Sequence, residues 1–129
     1  MITSGAFSYI NVLDKAADAS WLREATITNN LANVDTPGFK RKDVDFEGVL
    51  KTELGRSKYV TLDQKVKDLH MNHLNATAYT DSSNFSYRLD GNNVDVDTEP
   101  VELGSEQLRY TALTDSITHE ISRFKSVLG

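Results

Sequence analysis

Asn29-Asn30-Leu31-Ala32-Asn33-Val34-Asp35-Thr36-Pro37-Gly38-Phe39-Lys40 closes a long helical pattern, makes a turn and launches an extended segment of different composition. Pro37 pushes Thr36 out of the α region. Pro-Gly at 37–38 suits the central positions of a type II turn, where glycine supplies φ > 0. The helix is therefore expected to stop near Asn33, with Asn33 ending it in a left-handed conformation. Phe39 gives the departing chain an aromatic anchor.

Upstream of the turn, residues 4 to 33 contain no proline and, after Gly5, no glycine. At 100° per residue Ala6, Ile10, Leu13, Ala17, Trp21, Ile27 and Leu31 share one broad face, bordered by Asp14 and Glu24, as in an amphipathic helix. About 30 residues of helix extend ~45 Å, longer than a globule of this size needs. The pattern reads as half of a rod-like helix pair, with a core helix of an ordinary bundle as the alternative.

The matching half lies at the far end. Leu103, Gln107, Tyr110, Thr114, Ile117, Ile121, Phe124 and Leu128 follow one another at alternating spacings of four and three, a heptad seam. Gln107 and Thr114 are polar seam positions that help fix register and partner. Thr98 or Asp97 can cap this helix, and Pro100 is tolerated in its first turn. The N-terminal helix is the only long partner within the chain.

Between the helices the pattern weakens. Lys40-Arg41-Lys42 reads as solvated surface. Val49, Leu50 and Leu54 predict one or two helical turns, and Tyr59-Val60-Thr61-Leu62 a short strand. Val66, Leu69 and Leu74 are too sparse to define a helix, and Asn75 to Asn84 is loop-like. Phe85-Ser86-Tyr87-Arg88-Leu89 and Val94-Asp95-Val96-Asp97 alternate around the turn residues Asp90-Gly91-Asn92-Asn93, which predicts a β-hairpin. The expected fold is mainly α, with long terminal helices paired as a coiled coil and an irregular middle containing a short hairpin. The expected divisions are 1–33, 34–97 and 98–129.

Composition narrows the function. The 129 residues hold 39% hydrophobic residues, below the roughly 45–50% of typical globular domains, so a large self-contained core is not expected. The net charge of −5 is spread along the chain. That leaves no concentrated positive field for a nucleic-acid backbone. The absence of cysteine rules out disulfides and thiolate metal sites. The N-terminus lacks the pattern of a cleavable signal, and no stretch approaches the ~20 apolar residues of a membrane span.

Catalytic chemistry finds little support. His70 and His73 are spaced for a metal on a helix, but no third ligand accompanies them. Asp95, Asp97, Glu99 and Glu106 fit positions of a calcium loop, but Pro100 stands where that loop needs glycine. Asp43 and Asp45 lie in polar sequence where nothing would separate their pKa values. No nucleophile elbow, phosphate loop or dinucleotide fingerprint occurs. No cofactor is expected. A self-associating helical protein is favoured over a metal-dependent hydrolase.

The run from Asn30 to Lys40 resembles the signature shared by bacterial flagellar rod and hook proteins. Leu89-Asp90-Gly91-Asn92-Asn93-Val94-Asp95-Val96-Asp97-Thr98-Glu99 and Leu108-Arg109-Tyr110-Thr111-Ala112-Leu113 are similar to segments of the family's proximal-rod members, in the same order. The resemblance implies terminal helices paired into the inner tube of an axial structure, and a turn from Asn29 to Phe39 that contacts neighbouring subunits. It also implies assembly with copies of itself, other rod proteins and a membrane-ring or export-gate adaptor. Export through the flagellar type III apparatus would fit the missing signal.

Overall fold

The computed structural model describes residues 2–81 and 88–129, and of residues 2–6 the backbone only. Two long helices dominate, α1 (Ile2–Ala32) and α4 (Glu99–Leu128). Between them lie β1 (Lys42–Val44), α2 (Phe46–Gly55), α3 (Leu62–Asp68), a 3₁₀ turn (Met71–Leu74) and β2 (Ala78–Thr80). No described helix is long and apolar enough to cross a membrane.

α1 and α4 run antiparallel. Phe7 packs on Phe124 with ring centroids 5.0 Å apart, Trp21 on Tyr110 at 5.6 Å, and Asn30 reaches Glu99. Partner numbers fall along one helix as they rise along the other, which fixes the direction.

The seam on α4 is Glu99, Leu103, Glu106, Tyr110, Leu113, Ile117, Glu120 and Phe124, all buried or half-buried. The heptad spacing is as expected and Leu103, Tyr110, Ile117 and Phe124 are shared with the sequence reading. At 106/107 and 120/121, however, the inward residue sits one position earlier than expected, while Leu113 and Thr114 are both half-buried. Gln107 is exposed, Ile121 is 41% exposed and Leu128 is 69% exposed. At 106 the charge of Arg23 on α1 accounts for the shift, because it draws Glu106 inward. On α1 the buried stripe is likewise rotated toward polar residues. Ala17 and Ile27 are buried, together with Ser20, Thr26 and Asn30. Ile10, Leu13 and Leu31 are half-buried, and Trp21 stays 62% exposed. Ala6 belongs to the residues whose side chains are not described.

The middle segment packs on one side of this pair. β1 and β2 form an antiparallel ribbon with Lys42 opposite Thr80 and Val44 opposite Ala78. α2 begins at Asp45, whose carboxylate accepts the Gly48 N–H at 2.9 Å. A side chain at Gly48 would collide with that carboxylate. α3 is capped by Thr61, accepting from Gln64 N–H. Residues 59–62, predicted as strand, instead lead into and begin α3. Val66 and Leu74, judged too sparse for a helix, are buried, with Val66 in α3 and Leu74 in the 3₁₀ turn.

The hairpin expected at 85–97 is not formed by its described part. Phe85 to Tyr87 lie outside the described residues. Leu89 to Asp95 make a turn and then an unladdered strap, and Val94 to Asp97 are not strand. The acidic and amide side chains explain this. Asp90 accepts the Asn92 N–H, Asn92 the Val94 N–H and Asp95 the Asp97 N–H, so side chains take donors that a ladder would need. The ribbon of the fold class forms elsewhere, at β1 and β2.

α4 fully buries only Glu99 and Glu106, and none of its hydrophobic residues. Seven hydrophobic residues make up the core among the described residues: Ala17, Ala19, Ile27, Val44, Val66, Leu74 and Val94. Ile27, Val44 and Val94 lie near the turn, and Ala17 and Ala19 in the middle of α1. Local opening is cheapest where apolar contacts are few. In dilute monomer, amide hydrogens of residues 114–128 should therefore exchange at least tenfold faster than those of 17–30. Uniform protection along both helices, read by hydrogen-exchange mass spectrometry, would contradict this picture.

Candidate functional site

The end of the molecule at the α1–β1 turn is organised by side-chain amides and charges. Asn30, fully buried in the last turn of α1, treats Lys42 as a strand neighbour. Its Nδ2 donates to Lys42 O at 2.8 Å and its Oδ1 accepts Lys42 N–H at 2.9 Å. The helix end is thereby locked to β1, and the same Nδ2 reaches Glu99 at 3.3 Å.

The turn between them follows the type II expectation. Gly38 has φ +74°, and Phe39 N–H donates to Thr36 O at 3.2 Å. Asn33 does not adopt the left-handed conformation expected of it, since no described non-glycine residue has positive φ. Its N–H instead donates to Asn29 O and Asn30 O in a tightened final turn, and its side chain caps Asn29 O. Asn29, Asn33 and Thr36 form a hydrogen-bonded chain at the helix end. Leu31, Val34 and Phe39 are half-buried, while Ala32, Asp35, Thr36, Pro37 and Gly38 face solvent.

The strap from Leu89 to Asp95 closes over this turn. Asn92 is 1% exposed, and its Nδ2 donates to Asn33 O, Val34 O and Thr36 O at 2.9, 3.0 and 2.9 Å. Arg88 donates to Val34 O, Gly38 N–H to Asp90 O at 2.7 Å, and Asn93 N–H to Phe39 O. Asn93 Oδ1 accepts Arg41 N–H at 2.6 Å and its Nδ2 donates to Asp81 O. Gly91 has φ +79° and approaches Gly38, whose Cα lies 3.8 Å from where a Gly91 Cβ would stand. The two segments singled out in the sequence therefore form one interlocked unit. Asn92 gathers three backbone carbonyls of the turn, which Thr36 N–H, Arg88 and Phe39 N–H also meet.

Beneath the clamp lies an ion network. Arg23 bonds Asp43, Glu106 and Glu102 at 2.8, 2.8 and 2.9 Å. Arg41 bonds Asp81 and Asp43 at 2.9 and 3.2 Å and also Glu99. Two guanidiniums thus tie α1, both strand segments and α4 together. Arg41 corrects the reading of 40–42 as solvated surface: Lys40 and Lys42 are exposed, but the Arg41 side chain is 12% exposed. Asp43 is corrected as well. Burial pushes its carboxyl up, but hydrogen bonds from Arg23 and the Val44 N–H, with the charges of Arg23 and Arg41, outweigh burial and hold it below the usual carboxylate range. Both arginines are likewise raised by their carboxylates against the effect of burial. Arg41 could not be foreseen because its partners lie 40 and 58 residues away. The one available signal was a basic residue flanked by Asp43 within an extended segment.

His70 and His73 stack at 5.3 Å, with His73 Nδ1 3.3 Å from Glu53. Glu99 and Glu106, two positions of the rejected calcium frame, are taken by the arginines. Among the described residues no group of three potential ligands is assembled.

Two long paired helices with an interlocked turn and no assembled ligand group among the described residues define a helical protein built for structure. A family model described as "Flagella basal body rod protein" matches residues 10–40, which contain the clamped turn. The chain is 35% identical over 119 residues to flagellar basal body rod protein FlgB of Bacillus subtilis (strain 168), spanning 92% of each chain. It is 33% identical to that of Borrelia hermsii over 126 residues, 92% of this chain and 91% of the other. With FlgB of Escherichia coli (strain K12) the identity is 30% over 82% of each. The chain belongs to the flagellar basal body rod protein FlgB family.

Replacing Asn92 by alanine removes the donor that reinforces Asn33 O, Val34 O and Thr36 O and takes the Oδ1 acceptor from the Val94 N–H, and should cost about 1–3 kcal/mol in urea unfolding. Asn92→Asp should cost more at pH 7, because its carboxylate faces carbonyl oxygens. Its folded-state pKa is then raised, so the deficit should shrink as pH falls below that value. Equal stability of the three proteins would refute the clamp. A second expectation concerns acid. Since the folded pKa of Asp43 is depressed, its contribution is present above the unfolded value of about 3.9 and lost as pH falls through the folded one. Urea midpoints should hold between about pH 5 and 7 and drop below about pH 4, with Asp43→Asn flattening that limb.

Proposed function

We propose that the chain is a structural subunit of the proximal rod of the bacterial flagellar basal body. It polymerises through its terminal helices, with copies of itself and other rod proteins, into the axial drive shaft that transmits torque and encloses the export channel. Its base meets a membrane-ring or export-gate adaptor, and it reaches the rod through the flagellar type III apparatus. It turns over no substrate and takes no cofactor. The turn from Asn29 to Phe39 serves as a contact to neighbouring subunits.

Family membership and one structural observation support this reading. The observation is that a 30-residue helix fully buries two glutamates and no hydrophobic residue. Isolated helices draw most of their stability from packing, so the seam residues left half-covered call for neighbours. Contacts that repeat without closing a dimer build a tube. Trp21, Ile121 and Leu128, exposed in the single chain, are then apolar surface held for those neighbours.

The test is Ile121→Asp. At an exposed position the change should alter monomer stability by no more than about 0.5 kcal/mol. Rods should nevertheless fail to assemble and cells should not swim. Normal rods and swimming, with the variant confirmed in basal bodies, would remove the basis for assembly through this face.

A further inference from the structure

Of the seven glycines, only Gly91 follows an aspartate or asparagine, at Asp90-Gly91. That pair has a covalent route open to it. The Gly91 nitrogen can attack the Asp90 side-chain carboxyl carbon, forming a C–N bond and closing a succinimide ring. The nitrogen gives up its hydrogen, a Cγ–O bond breaks, and water leaves. Hydrolysis at either ring carbonyl restores that water, giving aspartate or isoaspartate of unchanged mass and oxidation state. Glycine leaves the attacking nitrogen unhindered, because it carries no Cβ.

The fold occupies each group that this route needs. The Gly91 N–H donates to Arg88 O at 3.2 Å. Asp90 Oδ2 accepts from Arg88 Nη2 at 2.9 Å, and Oδ1 from the Asn92 N–H at 3.1 Å. The flanking carbonyls are held as well. Asp90 O accepts the Gly38 N–H at 2.7 Å, and Gly91 O accepts from the Lys40 ammonium. Turning the carboxyl onto its neighbour's nitrogen therefore means breaking bonds on both sides of the clamp. Burial is not the guard, since the Asp90 side chain is 27% exposed and water reaches it. The product meets the same contacts. Isoaspartate routes the main chain through its side-chain carbons, adding a backbone carbon between Leu89 and Gly91. Asn92, 1% exposed and bonded to three turn carbonyls, leaves no slack for the longer chain.

We propose that Asp90–Gly91 is a latent isomerisation site, held shut by the contacts of Arg88, Asn92 and Gly38 around it. Isoaspartate at 90 then marks chains whose clamp has stood open, and those chains cannot re-form it. Ring closure proceeds from the opened state alone, so its rate follows the fraction of time the clamp is open. The inference stands on the clamp and not on the rod reading.

Peptide mapping by liquid chromatography and mass spectrometry separates aspartyl from isoaspartyl peptides of equal mass. The whole chain is aged at neutral pH, folded and in urea. Isoaspartate at 90 should form at least about tenfold faster in urea, with Asn92→Ala in buffer falling between. If Asn92→Ala does not fold, the unmodified chain at urea concentrations below its unfolding transition supplies the intermediate point. Equal rates folded and unfolded, or an intermediate point no faster than the folded chain, overturn the latent site. Hydrogen exchange on the refolded isoaspartyl chain tests the second half. Its Gly38 amide, bonded to Asp90 O in the unmodified chain, should lose protection while residues 17–30 keep theirs. Unchanged protection at Gly38 refutes the exclusion of the product.

Discussion

The carboxylate of Asp43 is held by two guanidiniums at once. Arg23 comes from the middle of the first helix, and Arg41 from the segment leaving the turn. Each arginine then reaches α4, at Glu106 and Glu99 respectively. Those glutamates lie seven residues apart on the seam, so the pair of contacts sets the register of the C-terminal helix against the N-terminal one. Buried ion pairs are poor contributors to net stability, because desolvation consumes most of the attraction. Their clearest role is to choose one arrangement among many that hydrophobic contacts alone would tolerate. In a helix pair with so thin an apolar seam, that choice cannot be left to packing.

The same logic explains why the turn is bound by amides. A loop between a helix and a short strand leaves backbone carbonyls with no regular partner. Asn92 adds a donor to three of them, beside the Thr36 and Phe39 N–H groups and Arg88, and Asn30 supplies the donor and acceptor that a strand neighbour would give. Both asparagines are buried and both are fully used. The turn is therefore tied by side-chain amides both to β1 and to the strap.

What could be read from sequence followed from local chemistry. The helices were legible from the absence of Pro and Gly between residues 6 and 33 and from heptad spacing after Pro100. The Pro37-Gly38 turn was legible from the φ demands of those two residues, and Gly38 meets them. What could not be read depends on distant partners. Strands of three residues carry too little alternation to announce themselves, and Lys42–Val44 pairs with a segment more than thirty residues later. The hairpin expected around Gly91 had the right turn residues. However, Asp90, Asn92 and Asp95 spend the strand's donors on their own side chains. The seam was displaced by one residue at Glu106 because hydrophobicity was the only guide, whereas Arg23 makes Glu106 an inward residue.

These features together separate two jobs that a filament subunit must do. Register within the chain is set by charge and amide contacts concentrated near residues 23–43 and 88–106, which need no neighbour. The apolar residues, by contrast, stay largely uncovered: Trp21, Leu108, Ile121 and Leu128 are exposed while Glu99 and Glu106 are buried. A chain that spent its hydrophobic surface on its own core would have little left for lateral packing. One that relied on that surface for internal register would have to refold at each addition. Polar groups inside the clamp fix the corner within the single chain, and apolar groups outside it are left as the surface that the proposed rod neighbours would cover.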